Sequence, residues 1–195
     1  RFYGCGSPIP RALRGLRILD VGCGTGRDAY VMSGLAGPTG FVTGIDMTDA
    51  QIAVARRYVR HQTEVFGYAT PNVQFVQGDI EELSSHFDEA SVDVVTSNCV
   101  PNLVADKPGV LKAVHRLLKP GGEFHFADIY ADRRVGEALR CDPVLHGECL
   151  GGALYVNDFL RMARSAGFPD PRRIAVRDVA IDDDEIAERI GNVRF

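Results

Sequence analysis

Five cysteines are the residues best able to do chemistry, and their spacing excludes the common structural uses of cysteine. Cys5, Cys23, Cys99, Cys141 and Cys149 are odd in number, so they cannot all pair with one another, and no CxxC repeat occurs. A disulfide framework or a zinc ribbon would need such a pattern. The sequence therefore predicts five thiols in a reducing, cytoplasmic setting, each with a role of its own.

A glycine loop follows the first predicted strand, Arg17–Val21. Gly22, Gly24 and Gly26 are spaced as GxGxG, at the place where an open parallel sheet leaves a crevice for a ligand. Glycine lets the backbone turn sharply and approach that ligand closely. Arg27 stands where a dinucleotide site would need its third glycine. The loop therefore suits S-adenosylmethionine, which has no pyrophosphate, better than NAD.

Asp46 ends the second predicted strand, 20 residues after Gly26. Its paired carboxylate oxygens are suited to accept hydrogen bonds from both hydroxyls of a ribose. The alternative is that the glycine loop is only a tight turn and that Asp46 only caps a helix. The strand, the glycine loop, the following helix and Asp46 occur in the order and spacing of a cofactor site, which favours the cofactor-binding interpretation over this alternative.

The fourth predicted strand, Val92–Ser97, ends beside Asn98, Cys99 and Val100. Enzymes that methylate nucleic-acid amines carry prolines and an aromatic residue here to grip a flipped base, and this chain has a thiol and an aliphatic residue instead. Thiolates prefer soft centres to hard, oxygen-loving ones. Cys99 therefore indicates a soft, thiophilic acceptor, and base methylation is disfavoured.

Short β-branched runs alternate with helical patterns along most of the chain. The predicted strands are Arg17–Val21, Phe41–Asp46, Val73–Val76, Val92–Ser97 and Glu123–Ile129. Because parallel neighbours need a crossover connection, strands that alternate with helices predict a doubly wound, mainly parallel α/β sheet.

Helices are predicted between and after these strands. The first, Thr48–Phe66, would begin with a capping box made by Thr48 and Gln51. Others are Asp106–Leu118 and Asn157–Ala166, and a further strand is predicted at Arg173–Val179. The irregular stretch at about 130–155 is too long for an ordinary connection, so we expect it over the active face.

Length and composition favour a single domain that acts on a small molecule. The chain has 195 residues, 45% of them hydrophobic, and a net charge of −4. An acidic chain does not suit nucleic acid or anionic lipid as a partner, and no apolar run approaches the ~18 residues that span a bilayer. Residues 1–195 are expected to form one domain, and a start at Arg1 suggests a piece of a longer chain.

Gly22–Gly26, Asp46 and the segment Leu118–Gly122 resemble the class I S-adenosylmethionine-dependent methyltransferases, which implies a mainly parallel, seven-stranded sheet. Six further motifs resemble the arsenite methyltransferases of that superfamily over nearly the whole chain. They are Tyr3 to Gly6, Gly26 to Asp28, Asp46 to Thr48, Ser97 to Val100, Tyr130 to Arg134 and Gly147 to Leu150. The family also has an N-terminal extension and a C-terminal domain, both outside this chain.

The resemblance implies methyl transfer from S-adenosylmethionine to trivalent arsenic, as arsenite or methylarsenite, for detoxification in the cytoplasm. Cys5, Cys99 and Cys149 would hold the arsenic. A thiol reductant, glutathione or thioredoxin, would act as co-substrate, and no structural metal is expected. The residues implied around the cofactor are Tyr3, Gly22, Cys23, Gly24, Asp46, Met47, Ile80, Asn98 and Val100.

Three alternatives stay open at this point. The chain could methylate another small carbon, nitrogen or sulfur acceptor, with incidental cysteines. It could bind arsenite without turnover, although the glycine loop and Asp46 weigh against that. A zinc site made by Cys99, Cys141, His146 and Cys149 is also conceivable, but structural zinc usually has tighter paired spacings.

Overall fold

A five-stranded parallel sheet forms the centre of the molecule, in the order β3-β2-β1-β4-β5. The computed structural model describes residues 5–147, 149–181 and 183–195. The strands of the sheet are β1 (Arg17–Val21), β2 (Phe41–Asp46), β3 (Val73–Gln77), β4 (Val92–Asn98) and β5 (Leu118–Ala127). The predicted doubly wound α/β class is confirmed.

Nine helices of the described residues cover the sheet and its carboxyl-end loops, and none of them is long and apolar enough to cross a bilayer. They are α1 (Arg27–Ala36), α2 (Asp49–Arg57), α3 (Val59–Val65), α4 (Leu83–His86), α5 (Lys107–Leu117), α6 (Glu137–Arg140), α7 (Pro143–Gly147), α8 (Val156–Ser165) and α9 (Asp184–Ile190). A short 3-10 helix, Ile80–Glu82, precedes α4.

The predicted helix Thr48–Phe66 is divided into α2 and α3 at Tyr58. The predicted capping box is wrong, because the Thr48 hydroxyl makes no capping hydrogen bond. The carboxylate of Asp46 instead accepts a hydrogen bond from the Thr48 main-chain N–H at 2.9 Å. The side chain of Gln51 lies beside Gly24. The main chain at the start of α2 is therefore hydrogen-bonded to the last residue of β2.

β5 begins earlier than predicted, at Leu118, which pairs with Val92 of β4. The register then shifts, so that Glu123 pairs with Val94 and the intervening residues bulge out. The strand ends at Ala127, where the side chain of Asp128 begins to accept main-chain hydrogen bonds. At the carboxyl end of β5, the Asp128 side chain thus takes over as hydrogen-bond acceptor for nearby main-chain N–H groups.

The described part of the chain has five strands in this sheet, not the seven that the resemblance implies. Residues 170–181 form no regular element, so the predicted strand Arg173–Val179 is absent. Ile174 and Val176 are 85% and 74% exposed there. This segment and β5 line the same cavity without pairing. A strand needs a neighbouring strand for its main-chain hydrogen bonds. No strand in the described part of the chain pairs with this segment.

The stretch at about 130–155 is folded. It begins with β6 (Tyr130–Ala131) and ends with β7 (Leu154–Tyr155), which pair in parallel and bring its two ends together. Between them lie α6 and α7. Leu145 and Leu150 are buried with Ile190 of α9 in a small apolar cluster of their own. This packing holds the segment that carries Cys149 against the rest of the molecule.

Successive residues of β1 point to opposite faces of the sheet. Ile18 packs in the apolar cluster on one face, and Leu19 packs in the cluster on the other. Asp20 points to the same face as Ile18 and is only 3% exposed. The Thr96 hydroxyl donates a hydrogen bond of 2.8 Å to its carboxylate. Burial is the main reason why the pKa of Asp20 is raised to about 7, and nearby Asp28 and Asp46 raise it further.

Replacing Asp20 with Asn is expected to stabilise the protein above pH 7. The native chain keeps a proton on Asp20 up to about pH 7, whereas the unfolded chain releases it near pH 4. Because the native state binds more protons in this window, the contribution of Asp20 to stability falls as pH rises through it. The amide has no charge to bury. We expect the free energy of unfolding of Asp20→Asn at pH 8 to exceed that of the unsubstituted protein by up to about 4 kcal/mol.

Urea unfolding at pH 5 and pH 8 measures this difference. Asp88→Asn changes an exposed carboxylate and serves as the matched control, with no expected gain at either pH. Equal stability of Asp20→Asn and the unsubstituted protein at pH 8 would contradict the expectation.

Candidate functional site

The carboxyl ends of the central strands open onto a cavity of about 2380 Å³. The glycine loop after β1, Asp46 at the end of β2 and Cys99 after β4 all line it. Parallel strands place their carboxyl ends at the same edge of the sheet, so residues distant in sequence meet there. The cavity continues along the outer edge of β5 and the segment 169–180.

The glycine loop needs glycine for two separate reasons. Gly22, Gly24 and Gly26 have φ angles of 72°, 53° and 86°, in the left-handed region that side chains disfavour. In addition, a Cβ on Gly22 would overlap the side chain of Val100, and one on Gly26 would overlap the ring of Phe75. The loop is therefore packed against the residue that follows Cys99.

Asp46 holds the glycine loop and the start of α2 together. One carboxylate oxygen accepts a hydrogen bond from the Gly24 N–H at 2.9 Å, and the other accepts one from the Thr48 N–H at 2.9 Å. An ionised carboxylate can accept about four hydrogen bonds. Asp46 therefore keeps acceptor capacity for hydroxyl groups of a ligand in the cavity.

Asn98 connects the first described residues to the sheet. Its side-chain oxygen accepts a hydrogen bond from the Cys5 N–H at 3.0 Å. Its side-chain nitrogen donates to the Gly6 carbonyl at 2.9 Å and to Asp28 at 3.3 Å. Asn98, expected only as a cofactor contact, thus also places Cys5 beside the end of β4.

The other expected cofactor residues lie at different depths. Val100 lines the cavity, and so does Cys23, whose buried side chain packs in the core beneath the loop. Burial raises the pKa of the Cys23 thiol well above its usual value. Met47 is 69% exposed, and Ile80 lines a separate small cavity. Tyr3 lies outside the described residues.

Cys5 and Cys99 form a disulfide across a sequence separation of 94 residues. The prediction of five thiols is therefore wrong for this pair in the state that the structure shows. The physical reason is the side chain of Asn98, which binds the main chain of Cys5 and Gly6 next to the end of β4. The Cα atoms of the two cysteines are 5.7 Å apart, a usual distance for a disulfide.

Cys149 reaches the same place from the folded stretch between β6 and β7. It is buried, it lines the cavity, and its Sγ lies 3.7 Å from the carbonyl oxygen of Cys99. Cys99 and Cys149 both have left-handed backbone conformations, with φ of 61° and 63°. Strained conformations of this kind concentrate at functional sites. The structure thus places all three cysteines on one cavity, but among the described residues the Cys149 sulfur does not form a group of ligand spacing with the sulfurs of Cys5 and Cys99 in this disulfide-bonded state.

The zinc alternative finds no support in the described residues. Cys141 is exposed, and it does not form a ligand group with Cys99, His146 and Cys149 there. The group that does have metal-ligand spacing in the described part of the chain consists of Cys5, Cys99 and Asp128, whose ligand atoms lie within 4.8 Å of one another. Glu148 lies outside the described residues.

Asp128 and Asn102 were missed by the sequence analysis. Asp128 follows β5, so its position at the carboxyl end of a strand was a usable signal. Burial raises its pKa to about 6, although hydrogen bonds from Ile129 and Asn102 and the charge of Lys107 oppose that rise. Asn102 gave no signal, since it lies in a loop and its partners are distant in sequence.

Known proteins resemble this chain over its whole length. It is 51% identical to an arsenite methyltransferase of Aquipseudomonas alcaligenes and 45% identical to the human arsenite methyltransferase, with 100% of the chain covered in both cases. These matches cover 56% and 52% of the two relatives, so the chain spans about half their length.

A solved structure gives the same result. The crystal structure of an arsenic(III) S-adenosylmethionine methyltransferase from Chlamydomonas reinhardtii is 49% identical, with a TM-score of 0.94 over 99% of this chain and 65% of that one. Residues 13–167 match the model of a family described as a methyltransferase domain. The resemblance found in the motifs is thus confirmed as a similarity to arsenite methyltransferases, and the chain belongs to the methyltransferase domain family.

Proposed function

We propose that this chain transfers a methyl group from S-adenosylmethionine to trivalent arsenic held by Cys5, Cys99 and Cys149. The observation that carries the proposal is the convergence of these three cysteines, from three separate segments, on the cavity that the glycine loop and Asp46 line. The arsenite methyltransferases that match the whole chain support it.

In this proposal the cofactor lies over the carboxyl ends of β1, β2 and β4. Asp46 accepts hydrogen bonds from the ribose hydroxyls, and Gly22 and Gly24 let the main chain approach the cofactor closely. Val100 packs on Gly22 and separates the two halves of the site. The methyl group would then point toward Cys99, the residue after Asn98 at the end of β4.

Three thiolates leave trivalent arsenic as a pyramidal centre with one free lone pair, and that lone pair is the nucleophile. It forms the As–C bond while the bond from the methyl carbon to the sulfonium sulfur breaks, and that bonding pair stays on sulfur. No proton leaves the nucleophile, so no general base is needed. Orientation of the two reactants supplies the rate enhancement, which can reach roughly 7 to 11 kcal/mol at best.

The disulfide between Cys5 and Cys99 must be reduced before arsenic can bind to these sulfurs. Two electrons and two protons convert it to two thiols, and a thiol reductant such as glutathione or thioredoxin supplies them. Each methyl transfer also oxidises arsenic formally by two electrons, so a thiol pair must return it to the trivalent state. We place the reaction in the cytoplasm, where arsenic methylation serves detoxification.

Arsenite binding is expected to require prior reduction of the protein. Protein oxidised to the Cys5–Cys99 disulfide is expected to bind no arsenite. After reduction with a phosphine and removal of the reductant, it is expected to bind one arsenic atom per chain. Equilibrium dialysis with arsenic counting measures the ratio. Addition of glutathione and methyl-labelled S-adenosylmethionine to the reduced complex is then expected to yield methylated arsenic, and its absence would count against methyl transfer.

Cys99→Ser is expected to abolish arsenite binding and to leave S-adenosylmethionine binding within about twofold, because hard oxygen is a poor ligand for a soft centre. Titration calorimetry with each ligand separates the two effects. Cys141→Ser, at an exposed thiol outside the cavity, is the matched control. A Cys99→Ser protein that methylates a small acceptor at the parent rate would favour a methyltransferase for another acceptor.

Asp46→Ala is expected to give the opposite pattern. It removes a charged acceptor and leaves the Gly24 N–H without its partner, and such hydrogen bonds are worth about 1.5 to 3 kcal/mol, or roughly a tenfold to hundredfold loss of cofactor affinity. Arsenite binding by the reduced protein is expected to stay unchanged. If Asp46→Ala bound S-adenosylmethionine with the affinity of the parent protein, the proposed role of Asp46 in cofactor binding would be wrong.

A further inference from the structure

Asn102 lies three residues after Cys99 and is only 2% exposed. Its main-chain N–H donates to one carboxylate oxygen of Asp128 at 2.9 Å, and its side-chain nitrogen donates to the other at 2.8 Å. The same nitrogen donates to the Ile129 carbonyl at 2.6 Å. The loop that carries Cys99 is therefore bound to the end of β5 by one amide and one carboxylate.

Asn102 also meets the segment that carries Cys149. Gly152, three residues after Cys149, lies so close that a Cβ there would overlap the main-chain oxygen of Asn102. The ammonium of Lys107 donates to that oxygen at 3.0 Å and to the Val104 carbonyl at 2.9 Å. Three segments thus meet at one residue.

These contacts make the junction stiff. Asn102 is buried, and its amide nitrogen, main-chain N–H and carbonyl are all hydrogen-bonded. Buried polar groups that lose their partners cannot regain them from water, so the arrangement has few low-energy alternatives. The absence of a side chain on Gly152 lets the two main chains approach. Asn102, Asp128 and Gly152 are called the Asn102 junction below.

We infer that the Asn102 junction positions Cys149 relative to Cys5 and Cys99, so that all three sulfurs reach one arsenic atom. The inference rests on the proposed function and extends it to residues that need not touch arsenic. Asp128 lies within 4.8 Å of the Cys5 and Cys99 sulfurs, and Gly152 lies close to Cys149 in sequence. The junction therefore spans all three ligands.

Asn102→Ala and Gly152→Ala disturb the junction from opposite sides. Asn102→Ala removes the side-chain hydrogen bonds to Asp128 and Ile129 and leaves the main-chain bond to Asp128 in place. Gly152→Ala forces the two main chains apart. Gly136→Ala is the matched control, since nothing lies within 4 Å of a Cβ there. We expect kcat/KM for arsenite to fall about a hundredfold in both junction variants. The KM for S-adenosylmethionine is expected to stay within about twofold.

Mapping of alkylated cysteines gives a readout that a general loss of stability would not produce. In the reduced parent protein, arsenite is expected to protect Cys5, Cys99 and Cys149 from N-ethylmaleimide. In Asn102→Ala and Gly152→Ala, it is expected to slow the alkylation of Cys5 and Cys99 but to leave Cys149 at the alkylation rate that it has in the same variant without arsenite. Peptide mass spectrometry identifies each modified thiol, and the thermal unfolding midpoint reports whether each variant is folded.

Full protection of Cys149 in either folded variant would overturn the positioning role. Equal loss of protection at all three cysteines would also overturn it, because the junction would then act on the whole site. A parent protein in which arsenite protects none of the three would refute the proposed function itself, and the two failures are therefore distinguishable. The control Gly136→Ala is expected to match the parent at every cysteine.

Discussion

The parallel order of the central strands is the constraint on which the candidate site depends. Carboxyl ends of parallel strands share one edge, so β1 supplies the glycine loop, β2 supplies Asp46, β4 supplies Cys99 and β5 supplies Asp128 at that edge. The crossover helices are buried against the two faces and leave the edge open. The topology of the sheet therefore brings together groups that are separated by up to about 100 residues in sequence.

Within that edge, the proposed cofactor half and the proposed acceptor half of the site share contacts. Val100 packs on Gly22, and Asn98 bonds to Asp28 on one side and to the main chain of Cys5 on the other. A movement of the cysteine segment would disturb the glycine loop, and the converse also holds. In the proposed function, donor and acceptor would thus be held by the same few side chains, which favours a fixed distance between them.

The sequence predicted those parts of the molecule whose causes are local. Buried runs gave β1 and β2 their bounds, and Asp46 was found because it ends a strand after a glycine loop. The disulfide between Cys5 and Cys99 and the role of Asn102 were missed, because both arise from tertiary hydrogen bonds. The strand at Arg173–Val179 was predicted because it would continue the regular alternation of helices and strands along the chain. Pairing also needs an available sheet edge, which a local sequence pattern does not reveal.

Charge at the site bears on how the proposed reaction is accelerated. The sulfonium of the donor is cationic before transfer and becomes a neutral thioether afterwards, so its positive charge disperses in the transition state. Carboxylates near the cavity, Asp28, Asp46 and Asp128, then stabilise the bound donor more than the transition state, and such binding does not raise the rate of transfer. The acceleration must come from alignment of the arsenic lone pair with the methyl carbon. A rigid arrangement of three sulfurs therefore matters more to this reaction than any acid or base.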